Sequence, residues 1–225
     1  NATVGAGMIV DRTPAEKALS RRRSSADAGK DVRAAQRSAV TQEQRRSRLG
    51  QQPFTLWFTG LPRSGKTSLA FALEQALFER GRFAHVLDGE RLRAGLSSDL
   101  GFSAADRWEH QRRAAEVAHL QNDLGLISIV ALISPIEADR AQAQRIVGEG
   151  QFLEVHCDAP IEVCESRDTN DLYGRARRGE IRGLTGVDAP YEAPRSPFLR
   201  LDTAKVSVAD NVARVLAALE ARGLL

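Results

Sequence analysis

The feature that most restricts this chain is the octapeptide Gly60-Leu61-Pro62-Arg63-Ser64-Gly65-Lys66-Thr67, set between an apolar stretch at 54–59 and a helix-forming stretch at 66–80. It fits GxxxxGK[ST] in full, and the motif carries meaning because it follows an expected strand and opens an expected helix. The glycines let the loop curl so that successive backbone N–H groups point inward at an anion. The helix N-terminus adds roughly half a positive charge. Gly60 to Thr67, together with Ser68, are therefore expected to cradle a nucleoside triphosphate. Lys66 should reach its β- and γ-phosphates, and the Thr67 hydroxyl should ligate Mg²⁺. Two residues fit less well: Pro62 removes a donor, and Arg63 is strained if its position needs positive φ.

From the loop onward, apolar runs alternate with helical ones. Strands are expected at 54–59, 83–87, 126–133, 152–156 and 198–201, and helices at 66–80, 104–123, 136–147, 160–166 and 207–221. A shorter helix is expected between Thr41 and Gly50. This βαβ alternation predicts an α/β, P-loop NTPase-type three-layer fold, a parallel sheet covered by helices on both faces, with a lid. Ligands of such folds bind at the carboxyl ends of the strands. All aromatic residues lie at or after Phe54, which argues against an independent core before it. We expect 1–10 to be the terminal strand of a preceding domain, 11–39 a flexible basic linker, and 40–225 the P-loop kinase domain.

Residues 11–52 hold eleven Lys or Arg against five Asp or Glu, while the whole chain carries only +3. The basic character thus belongs to the leading segment, and a nucleic-acid partner is not expected. The longest nearly apolar run, 124–133, is about half of the 18 or more residues a spanning helix needs, so no membrane partner is expected either. Cys157 and Cys164 lack a disulfide or metal spacing and are expected to be small buried thiols. With no secretory pattern at its start, the chain is expected in the cytoplasm.

No guanine-reading Asn-Lys-x-Asp or Thr-Lys-x-Asp element occurs. The strand 126–133 runs into Ser134 and Pro135 instead of ending in Asp, so a carboxylate must come from elsewhere. Asp88 and Glu90, at the end of the second strand, supply one for positioning Mg²⁺ or an acceptor hydroxyl. Downstream stand Arg91, Arg93, Phe102, Arg107, His110, Arg112 and Arg113. As a cluster beyond a P-loop, these arginines suggest a second anionic ligand, and Phe102 suits stacking on a purine. The irregular basic stretch 173–194 suits a lid that excludes water from the reaction.

These residues resemble the adenylylsulfate (APS) kinases, which use MgATP to phosphorylate the 3′-hydroxyl of adenosine 5′-phosphosulfate (APS) and give PAPS. The likeness rests on 57–67, 87–93, 99–103, 133–135, 138–140, 163–168 and 185–194. It implies ATP and Mg²⁺ as cofactors and APS as substrate, with catalytic roles for Lys66, Asp88 and Ser134. It implies Thr67 and Asp88 at the metal, and Arg167 on the ATP side of the lid. Around APS it implies Asp88, Glu90, Arg93, Phe102, Arg107, His110, Ile133, Ser134 and Leu184. Residues 1–8 are similar to the last strand of a GTPase-type sulfate adenylyltransferase subunit, which implies a fused or associated sulfurylase; a homodimer is expected with it or in its place. The family pattern differs at Glu90 (usually Asp), His110 (Asn), Asn170 (Lys) and Leu184 (aromatic). Those differences leave room for a catalytically impaired nucleotide-binding module serving a sulfurylase. A kinase for another nucleotide or a sugar is the third reading.

Overall fold

The computed structural model describes residues 38–225. The strand expected at 1–10 and all but the last two residues of the linker expected at 11–39 lie outside it. The account below concerns the compact unit Gln42–Leu225. Its elements are α1 (Gln42–Leu49), β1 (Thr55–Thr59), α2 (Lys66–Glu79), β2 (Ala84–Asp88), α3 (Gly89–Ala94), α4 (Ala104–Asp123), β3 (Ile127–Ala131), α5 (Glu137–Val147), β4 (Phe152–Asp158), α6 (Ile161–Ser166), α7 (Leu172–Arg177), β5 (Leu199–Asp202) and α8 (Val208–Ala221).

The five strands form one all-parallel sheet in the order β2-β3-β1-β4-β5. Every residue of β1 and β3 is buried, because helices cover both faces. Successive side chains of a strand point to opposite faces. Leu56 and Phe58 therefore join Leu69, Leu73 and Leu77 of α2 and Val215 and Leu219 of α8. Trp57 joins Ala114, Ala115 and Ala118 of α4 and Ala143 and Val147 of α5 on the other side. A smaller cluster of Cys164, Tyr173, Leu61 and Leu184 ties the segment after β4 to the phosphate loop. The two longest helices after α2 start where the sequence places caps: Ser103 accepts from Asp106 N–H at 3.2 Å, and Ser207 from Asp210 N–H at 3.1 Å.

Two short helices were not expected. In α3, Asp88 is the N-cap and accepts from Glu90 N–H and Arg91 N–H. In α7, a turn of helix opens inside the basic stretch after Asp171, which sits at φ 53°. The strand expected to reach residue 133 ends at Ala131, although Leu132 N–H still donates to Phe58 O and Gly60 N–H to Ile133 O. The chain breaks away at Ser134, which has φ 45°. In-register parallel strands bring Thr59, Asp88, Ala131 and Asp158 to the same edge of the sheet, and the candidate site lies there. Among the described residues, no helix is long and apolar enough to cross a membrane.

Candidate active site

The phosphate loop is built around a close approach that only glycine allows. A Cβ on Gly60 would lie 2.5 Å from Cys157 O of β4 and 2.6 Å from Ser64 Oγ. Gly65 takes φ 91° as N-cap of α2 and provides no side-chain cap, so the first amides of the helix stay aimed at the loop. Arg63 does adopt the left-handed conformation, at φ 62°. Such a conformation costs on the order of 1–3 kcal/mol in a non-glycine residue and is held by its surroundings. Arg63 Nε lies 3.4 Å from Asp168 Oδ1, and Asp168 also accepts from Tyr173 N–H at 2.8 Å. The Tyr173 hydroxyl donates to Pro62 O at 2.8 Å. Loop and lid are thereby bolted together.

Lys66 Nζ donates to Gly60 O (3.0 Å), Leu61 O (2.6 Å) and Ser64 Oγ (3.3 Å). Desolvation in this closed loop pushes its ammonium down from the ordinary 10.5 to about 8. Thr67 Oγ1 donates to Asp88 Oδ2 at 2.8 Å, while Asp88 Oδ1 accepts from Glu90 N–H (3.0 Å) and Arg91 N–H (3.2 Å). One carboxylate thus caps a helix with one oxygen and faces the phosphate loop with the other. An alcohol and a carboxylate side by side form the hard-oxygen donor pair that suits Mg²⁺, an ion that keeps most of its other positions for water and phosphate.

A cavity of about 1360 Å³ opens over this pair. Its donor side is lined by Pro62, Arg63, Gly65, Lys66, Thr67, Ser68 and Arg167, and its far side by Asp88, Glu90, Arg93, Phe102, Arg107, His110, Ile133, Ser134 and Leu184. Gly60, Leu61 and Ser64 do not line it; the carbonyls of Gly60 and Leu61 and the Ser64 hydroxyl accept from Lys66 on the inside of the loop. Arg167 donates to Thr203 O at 2.7 Å.

On the far side, the arginine cluster divides in two. Arg112 and Arg113 are spent on ion pairs, Arg112 to Glu109 at 2.7 Å and Arg113 to Glu109 at 3.0 Å and to Asp99. Arg93 and Arg107 face the cavity instead. The Arg93 guanidinium lies 4.3 Å from the centroid of the exposed Phe102 ring. Burial, and after it the charge of Arg107, lower the pKa of Arg93. Arg107 donates to Phe102 O at 2.9 Å, to Thr185 Oγ1 at 3.2 Å and to Gly183 O. His110 is 5% exposed, and its Nδ1 is buried with no hydrogen-bond partner. Burial, with Arg93 and Arg113 nearby, pushes it down to about 4, so its imidazole is neutral at physiological pH.

Ser134, 2% exposed, accepts from Trp57 Nε1 at 3.0 Å. Its carbonyl accepts from Arg140 at 2.8 Å, and Arg140 also donates to Glu154 Oε1 at 2.7 Å. Arg140, Asp168 and Tyr173 fall in stretches that the sequence reading uses, but none of them is given a role there. For Arg140 a signal existed: Arg140, Ala143 and Val147 share the spacing of a buried helix face. The lid is pinned at its far end as well, where Tyr191 lies 3.1 Å from Thr59 Oγ1 and Glu192 N–H donates to Pro135 O at 2.8 Å. Both cysteines are free and buried, and burial pushes the Cys157 thiol up to about 12.

A phosphate loop, a strand-end acid beside it and a cationic wall on one cavity define a P-loop kinase acting on a small anionic acceptor. Within that class, the adenylylsulphate kinase family model matches residues 52–202, and the chain belongs to this family. It is 49% identical to an adenylyl-sulfate kinase of Aeromonas hydrophila over 187 residues, which are 83% of this chain and 95% of that one. It is 44% identical over its whole length to a bifunctional enzyme CysN/CysC of Rhodopirellula baltica, of which it spans 34%. Among solved structures, the Mycobacterium tuberculosis APS kinase CysC in complex with AMPPNP and APS superposes with a TM-score of 0.73. That match has 45% identity and covers 76% of this chain and 99% of the other.

Proposed function

We infer that this chain transfers the γ-phosphoryl group of ATP to the 3′-hydroxyl of APS, giving ADP and PAPS. The observation that carries this reading is that one cavity joins the phosphate loop to the Arg93–Phe102–Arg107 wall, with Asp88 between them. Family membership at 49% identity supports the substrate pair.

The loop amides and Lys66 hold the β- and γ-phosphates, which replace the carbonyls that Lys66 now engages. Thr67 and Asp88 would hold Mg²⁺, whose charge when bound offsets that building up on the phosphate oxygens. Asp88 orients the acceptor hydroxyl and takes up its proton as the new P–O bond forms and the bond to ADP breaks. Arg93 and Arg107 bind the phosphosulfate, Phe102 stacks on its adenine, and Glu90, His110, Ile133 and Leu184 complete the acceptor pocket. Ser134 shapes this wall: its hydroxyl oxygen accepts from Trp57 Nε1–H, and the acceptor brings its own nucleophile. Arg167 and the lid close the donor side against water.

The bifunctional relative aligned over the full length supports placing this unit at the kinase end of a longer sulfate-activating polypeptide. We place the reaction in the cytoplasm, with the free buried thiols in support. The family resemblance makes a homodimer the expected assembly, which sedimentation checks.

The test is a coupled assay of ADP release with and without APS. Release should require APS and yield PAPS, and Lys66→Ala should lower turnover by at least about a hundredfold. His110 and Leu184 in the acceptor wall favour one second reading, a module that binds APS without turning it over. ADP release that ignores APS, despite measurable APS binding, would establish that reading in place of the first.

A further inference from the structure

The segment leaving β3 contributes Ile133 and Ser134 to the acceptor wall, yet Ser134 sits at φ 45°, a conformation that side-chain-bearing residues avoid. A wall built on such a residue is only as well placed as the groups that keep it there. Trp57 holds the hydroxyl. Thr59 Oγ1 lies 2.7 Å from Ile133 O and 3.2 Å from Ser134 O, but its single proton serves one carbonyl at a time. The charge-assisted bond from Arg140 to Ser134 O, at 2.8 Å, is therefore the strongest constraint on this peptide.

Arg140 itself is 2% exposed and does not line the cavity. Its Nε is fixed by Glu154 of β4 at 2.7 Å, and β4 pairs with β1 in a register that sets Glu154 beside Trp57. The guanidinium donates from two separate nitrogens held in a rigid fork, Nε to Glu154 and Nη1 to Ser134 O, a span that a lysine ammonium with all its donors on one atom does not match. Arg140 thus transmits the fixed geometry of the sheet, through α5, to a strained turn in the acceptor wall.

We propose that Arg140 is a positioning residue for the acceptor: through the Ser134 carbonyl it holds the Ile133–Ser134 turn in the shape that APS binding and transfer require. It has no direct part in holding ATP. The inference rests on the APS reading above, because the ligand of this wall is taken from it.

The experiment compares Arg140→Met, Arg140→Lys and Glu154→Gln with the unaltered protein at a temperature where all remain folded by circular dichroism. It measures the calorimetric Kd for APS and for a non-hydrolysable ATP analogue, together with KM for both substrates. Arg140→Met should weaken APS by about 10- to 100-fold, the scale of losing one hydrogen bond from a charged group, and change the ATP analogue by less than about twofold. Arg140→Lys should restore little of this. Glu154→Gln, which keeps the Arg140–Ser134 bond and lowers only the charge, should leave APS binding within about threefold. Equal weakening of both nucleotides, full rescue by lysine, or unchanged APS affinity in Arg140→Met would each overturn the proposal while leaving the kinase reading intact. Unaltered protein that binds the ATP analogue but not APS would instead overturn the APS reading, and this inference with it.

Discussion

Lys66 illustrates how a single side chain can be tuned by the loop it closes. Its ammonium is removed from water and rests on carbonyls and a hydroxyl of its own loop, and the desolvation pulls its pKa to about 8. A lysine so depressed is charged below that pH and neutral above it, so its attraction for phosphate is present at low pH and lost as the pH rises. Once a triphosphate is bound, the opposite charge favours the protonated form and moves the pKa back up. The two kinetic constants should then separate. We predict that kcat/KM for ATP, which reports the free enzyme, falls by roughly tenfold per unit above about pH 8, while kcat holds to higher pH. Kinetics from pH 7 to 9.5 at constant ionic strength check this; parallel profiles for the two constants would rule it out.

The main elements were legible in the sequence because their signals are local. A strand with every residue buried reads as a mainly apolar run, as β1 and β3 do with only Thr55, Thr59 and Ser128 breaking it, and the Ser103 and Ser207 caps announce α4 and α8. The short helices were not legible. α3 begins on a glycine and has only six residues, and α7 has a glycine in a six-residue run that includes two arginines, so neither shows a full period of burial. The phosphate loop and the acid at Asp88 could be read from spacing, whereas Asp168, Tyr173 and Arg140 act across the fold on partners 6 to 111 positions away. The α7 contact matters because it ties the lid to the phosphate loop. Burial raises the pKa of the Tyr173 phenol, which keeps it protonated and donating to Pro62 O. Tyr173→Phe leaves that carbonyl without its donor, at a cost of about 1–2 kcal/mol. For a domain of this size that lowers Tm by about 2–8 °C. KM for ATP should rise several-fold because the left-handed Pro62–Arg63 turn loses one of its supports. Calorimetry and ATP titrations measure both effects, and a variant with unchanged Tm and KM would show the bolt to be idle.

At the scale of the molecule, the position where the folded unit starts decides what can be cut from it. The family model begins at residue 52, but the sheet relies on residues before that point. Gln51, 5% exposed, donates to Phe83 O at 3.0 Å and to Gly125 O at 2.7 Å, and accepts from Phe83 N–H at 2.8 Å. It bridges the entry to β2 and the turn before β3, pairing Phe83 N–H and Gly125 O and adding a second donor to Phe83 O, which also accepts from Ile127 N–H. α1 adds Arg45, whose guanidinium donates to Asp123 O at 2.9 Å near the end of α4. The bond to Gly125 O is buried and the others are half-buried, and losing each costs about 1 kcal/mol. A chain beginning at residue 38 should keep its Tm within about 2 °C of the full chain and retain APS-dependent ADP release. A chain beginning at residue 52 loses α1 and Gln51 together, roughly 3–4 kcal/mol, and its Tm should fall by about 6–16 °C. Thermal unfolding of the three lengths, followed by the coupled assay at 20 °C, separates the outcomes. Equal stability of the two shortened chains would mean that α1 and Gln51 contribute nothing to the sheet, and a strong loss in the chain from residue 38 would move the start of the folded unit into the basic segment before it.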